Sequence, residues 1–103
     1  MELKDFETEI NDEIYRELAK TFVRLRELAN AEKSVFALSE REALELAQQA
    51  FERYLEAELI YQAILVHPVR GAALDNIQRY IQQTICQQRI EKMRESIEYH
   101  GFA

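Results

Sequence analysis

The stretch Ser39–Val66, SEREALELAQQAFERYLEAELIYQAILV, decides the fold. It opens like a capped helix. Ser39 and Glu42 have the S-x-x-E spacing of a capping box, in which each side chain satisfies the other's free backbone N–H, and Leu38 and Ala43 sit where a weak hydrophobic staple would. Leu44, Ala47, Phe51, Leu55 and Leu65 share one helical face, with Ala43, Ala50, Tyr54, Ala57, Tyr61 and Ile64 just beside it; Glu45, Gln49, Glu52 and Glu56 hold the opposite side. After Glu58 the polar side nearly vanishes, LIYQAILV keeping only Gln62. A helix that is apolar all round has to be covered all round. A three-helix monomer would leave one flank wet, so Leu59, Ile60, Tyr61, Ile64 and Val66 are expected to form a subunit interface.

The flanking segments read as helices packed on this one. Phe6, Ile10, Ile14, Leu18, Phe22, Leu25 and Leu28 recur at spacings of four or three, predicting a helix over about 4–30. Its acids gather early and its bases late, which suits the helix dipole. The periodicity breaks over 31–38, AEKSVFAL, where Val35 and Phe36 are expected to tuck back onto the bundle as a lid, in either a turn or a bent helix. His67-Pro68-Val69-Arg70-Gly71 is the strongest punctuation, because Pro68 cannot continue a helix but can begin one. A third helix is expected over about 68–99. Its first half aligns Ala73, Leu74, Ile77, Tyr80, Ile81 and Thr84; its second half aligns Cys86, Ile90, Met93 and Ile97 on roughly the opposite side. A stripe that changes faces predicts two contacts: the first half inside its own bundle, the second against another chain.

Composition points the same way. In 103 residues there are two glycines and one proline, too few turns for a sandwich or an α/β fold, so the expected class is an all-α antiparallel bundle of about three long helices, one domain over 1–103, completed by oligomerisation. The net charge of −6 disfavours direct nucleic-acid binding. One cysteine, Cys86, permits no intrachain disulfide, and no leader or long apolar run occurs, so a cytoplasmic protein without a membrane span is expected.

No spacing carries recognisable chemistry. The residues three before His67 and His100 are Ile64 and Ile97, not the glutamates of a di-iron bundle, and two histidines and a cysteine far apart make no zinc site. Phosphate loops and hydrolase motifs are absent, and Cys86 at the head of an apolar stripe reads as a small hydrophobe rather than a nucleophile. No catalytic residue, metal or cofactor is therefore assigned. Glu58 and Gln62, on the apolar face, are either long side chains reaching solvent or Arg79, or a polar pair that fixes register and partner choice. Arg70 and Arg79 are candidate partner-facing charges.

From Asn11 to about Gln87 the layout resembles the YlbF/YmcA family of small bacterial helical proteins. A long helix opens near IND, a short break follows, then a helix rich in Ala, Leu and Glu, then HPV at the turn and ALDNIQRYIQQTI; the matching residues are His67, Pro68, Val69, Leu74, Ile77, Ile81 and Ile85. The resemblance implies a non-enzymatic adaptor acting in regulatory complexes as a homo- or hetero-oligomer. Some such complexes carry iron–sulfur clusters, but Cys86 alone gives no basis for one. The function expected is thus an interaction module that binds itself or a helical protein partner. The alternatives are an acidic secretion or assembly chaperone holding a client helix in an apolar groove, and a small-ligand bundle using Glu58, Gln62 and Tyr61.

Overall fold

The computed structural model describes residues 12–65 and 72–102, and these form an all-α bundle of three helices: α1 Asp12–Leu28, α2 Glu40–Leu65 and α3 Ala72–Phe102. Polar contacts set the directions. Arg41, in the first turn of α2, donates from Nε to the Arg26 carbonyl (3.2 Å) and from Nη2 to the Ala29 carbonyl (3.3 Å). A cation thereby satisfies carbonyls left open at the C-terminus of α1. The Arg26 Nε to Glu45 Oε1 contact (2.6 Å) closes the same hairpin. Glu40, also in the first turn of α2, meets His100 in the last turn of α3 at 2.5 Å, and Gln48 accepts from Arg89 Nε at 3.0 Å. The helices therefore run up, down and up, with α1 and α3 parallel. Packing is most extensive between α1 and α3 and least between α1 and α2.

The capping box at the head of α2 forms as its spacing predicts. Ser39 N donates to Glu42 Oε1 and Glu42 N donates to Ser39 Oγ, both at 3.0 Å. The bonds from Ser39, backbone first, hold the Glu42 carboxyl below its ordinary range.

The lid expected at Val35 and Phe36 does not form: the two side chains are 94% and 85% exposed. The connection is a tight turn instead of a bent helix. Ser34 N bonds the Leu38 carbonyl (2.9 Å), Ala37 N bonds the Ser34 carbonyl (3.1 Å), and Lys33 bridges Ser39. Closing the chain this sharply puts Ala37 at φ 66°, a left-handed conformation that L-residues rarely adopt. The tip carries Val35 and Phe36 away from the bundle.

The core joins Leu18 and Leu25 of α1, Leu55 and Leu59 of α2, and Cys86, Ile90 and Met93 of α3, with Ile14, Tyr15, Phe22, Leu44, Phe51, Ile81, Ile85 and Ile97 packed around it. The α1 stripe matches its expected periodicity from Ile14 to Leu25, whereas Leu28, expected on it, is exposed at the end of the helix; Phe6 and Ile10 lie outside the described residues. On α2 the inward line is Leu44, Gln48, Phe51, Leu55 and Leu59, whereas Ala47 and Leu65, expected on that face, are exposed.

On α3 the expected change of faces does not occur. One stripe runs Gln78, Gln82, Cys86, Ile90, Met93 and Ile97 at spacings of four and three, and the first five are buried. Its first third is glutamine, so hydropathy alone splits it. Tyr80, expected inside, is exposed. The helix also continues to Phe102, beyond the expected end near Tyr99, with His100 anchored to the Ser96 carbonyl (Nδ1 to O, 2.7 Å) and to Glu40.

Candidate interaction surface

The residues expected to meet another chain separate into two groups. Cys86, Ile90 and Met93 were expected to face a second subunit, and the structure corrects this: they are the most deeply buried part of the chain's own core, and Ile97 packs against it. The cause is the buried glutamines, which make the second-half stripe the continuation of the bundle face. Leu59 belongs to the same core. Burial raises the Cys86 thiol to about 11, so it stays protonated and packs as a small apolar group.

Ile60, Tyr61 and Ile64 remain outside, exposed by 56%, 57% and 67%, and Leu65 joins them at 59%. Isolated exposed apolar residues are ordinary on a protein surface; four large ones within six positions of one helix form a patch. Val66 and Arg70 lie outside the described residues. Glu58 and Gln62 are half-buried and bond each other, Gln62 Nε2 donating to Glu58 Oε1 at 3.0 Å. This i, i+4 pair sits on the inner edge of the patch. Arg79 is half-buried, and its Nε has no hydrogen-bond partner.

Between α2 and α3 lies a polar layer that hydropathy patterning does not reveal. The Arg89 guanidinium rests over the Phe51 ring, 5.7 Å from its centroid, while Nε donates to buried Gln48. Burial lowers the Arg89 pKa, and Nη2 is buried with no hydrogen-bond partner. Further up α3, Gln78 is buried with both amide atoms unpartnered, and Gln82 is buried beside it in the stripe. Only the i, i+4 spacing of Gln78, Gln82 and Cys86 could have signalled these positions.

A surface groove of about 470 Å³ lies between α1 and α3, lined by Ile14, Tyr80, Gln83, Thr84, Gln87, Gln88 and Glu91. Its polar lining is amides, two hydroxyls and one carboxylate. Among the described residues no three His, Cys, Asp or Glu side chains are grouped to hold a metal ion, and no helix is long and apolar enough to cross a membrane. No family model, no curated protein and no solved structure matches the chain.

Proposed function

We propose that this chain is a non-enzymatic protein–protein interaction module that works as a homo- or hetero-oligomer in a regulatory complex. The observation that carries the reading is the patch at the end of α2, where Ile60, Tyr61, Ile64 and Leu65 are each more than half exposed. Keeping that much apolar surface in water is unfavourable at roughly 25 cal/mol per Å², and covering it with a partner recovers the difference. The regulatory role follows from the YlbF/YmcA resemblance; the HPV segment that carries part of it lies outside the described residues.

The geometry favours this over the other two readings. A chaperone for a client helix needs a long apolar groove, but the groove here sets Gln83, Thr84, Gln87, Gln88 and Glu91 beside Ile14 and Tyr80, and the apolar patch lies on the outside of a helix. A small-ligand site needs converging free polar groups, whereas Glu58 and Gln62 bond each other and Tyr61 is exposed.

Light scattering across a dilution series tests the proposal. The wild type is expected above its monomer mass of 12.2 kDa, and the double substitution Tyr61→Glu, Ile64→Glu is expected to return it to the monomer with unchanged helicity. A wild type that stays monomeric at every concentration and binds a hydrophobic dye would refute self-association and favour the chaperone.

A further inference from the structure

From Ala43, steps of four and three residues in strict alternation reach Ala47, Ala50, Tyr54, Ala57, Tyr61 and Ile64, and all seven are exposed. This is the spacing of a coiled-coil seam sustained over three heptads. It lies about a third of a turn from the core face of the same helix, so the bundle does not use it. The patch at the end of α2 is the wide end of this longer seam.

The seam is graded by size, with alanines toward the N-terminus of α2 and Tyr61 and Ile64 toward the C-terminus. A parallel copy would set large against large at one end and leave a gap at the other. An antiparallel copy, turned about an axis near Tyr54, sets Ala43 against Ile64 of the second copy, Ala47 against Tyr61, and Ala50 against Ala57. Small residues then meet large ones toward both ends. At the centre the small pairs of Ala50 with Ala57 leave room for the two Tyr54 rings beside the axis, so bulk is spread along the seam as close packing requires. The rim is self-complementary as well. Leu46 falls opposite Ile60 of the second copy, a pair that occurs twice by symmetry. Leu46, Tyr54, Ile60, Tyr61, Ile64 and Leu65 are each more than half exposed and offer on the order of 600 Å² per copy; about 1,200 Å² for the pair reaches the size of a specific interface.

We propose that the seam is occupied by a second copy of this chain, giving a two-fold dimer through antiparallel α2 helices centred near Tyr54. The proposal rests on the association reading above and names its partner and geometry.

Cysteine cross-linking of the full chain tests it, with the wild type as background because Cys86 is buried and protonated. In Tyr54→Cys the two thiols lie near the axis, and oxidation or a short bis-maleimide should give a covalent dimer. In Ala43→Cys they lie about 30 Å apart and should not join. Ala50→Glu, at a position exposed in the monomer, should raise the dimer Kd more than tenfold with helicity unchanged. Self-cross-linking of Ala43→Cys would overturn the antiparallel register. A wild-type dimer with no Tyr54→Cys cross-link, or one indifferent to Ala50→Glu, would overturn the seam but leave self-association standing. A wild-type monomer would overturn both.

Discussion

Gln78 offers a sharp test of the packing along the buried face of α3. Its side chain is 2% exposed, and neither the amide nitrogen nor the amide oxygen has a hydrogen-bond partner. Leaving a buried donor or acceptor unmade costs about 1–3 kcal/mol per group. Methionine has nearly the same length and helix propensity, so Gln78→Met removes both orphaned atoms without changing the shape of the site. At the lower figure for each atom, the expected stabilisation is about 2 kcal/mol. For a domain of this size that raises Tm by roughly 8–16 °C. Thermal unfolding followed by circular dichroism, at one fixed protein concentration, is the assay. Gln88→Met, at an exposed position on the same helix, is the control and should stay within about 0.5 kcal/mol of wild type. A Tm for Gln78→Met at or below wild type would refute the reasoning, because it would mean that the amide is engaged in solution.

Other positions give independent expectations. Ile90→Ala should cost about 2–5 kcal/mol in chemical denaturation, since Ile90 is fully buried in the core of its own chain. Ala37→Gly should stabilise the fold by about 1 kcal/mol, because glycine adopts φ 66° without strain. Ser39→Ala should cost about 1 kcal/mol through loss of the α2 cap, read from the urea midpoint. His100 supplies a pH dependence. Its Nδ1 faces the Ser96 carbonyl and its Nε2 the Glu40 carboxylate, so the doubly protonated ring is favoured and the pKa is raised, the Ser96 bond contributing most. Stability from a raised pKa is complete below the unfolded value near 6.5 and is lost as pH rises through the higher folded value. The unfolding midpoint should therefore fall on moving from pH 6 upward through that value, and His100→Gln should flatten this part of the profile.

What the sequence reveals about this bundle depends on whether the determining interaction is local. The Ser39–Glu42 box is legible because both hydrogen bonds lie within one turn. The α1 stripe is legible because Ile14, Leu18, Phe22 and Leu25 face inward at the spacing of a single helical face, and α2's existence follows from length and cap together. The Val35–Phe36 tip is not legible, because hydropathy counts its two apolar residues as core, while the left-handed turn at Ala37 that carries them outward leaves no mark in the composition. The α3 face fails for the converse reason. Hydropathy sends Gln78 and Gln82 to solvent, the tertiary packing buries them, and the displaced apolar residues then look like a second face.

The same reassignment narrows where association has to be sought. Once Cys86, Ile90 and Met93 belong to the core, α3 has no apolar face left over in its second half, and its outward positions there, Gln88, Lys92 and Glu95, are polar and exposed. Surplus apolar surface collects on α2 instead. A helix that served only its own bundle would carry polar residues everywhere outside one stripe. On α2 they hold only the flank of Gln49, Glu52 and Glu56, and the line from Ala43 to Ile64 is apolar at every step of four and three. Alanine at Ala43, Ala47 and Ala50 is explained by helix propensity alone. Tyr54, Tyr61 and Ile64 are not, since each places a large side chain in water that propensity does not favour and the core does not require. Their shared heptad register with the alanines is the feature that makes α2 a two-faced helix, one side committed to α1 and α3 and the other suited to a second α2.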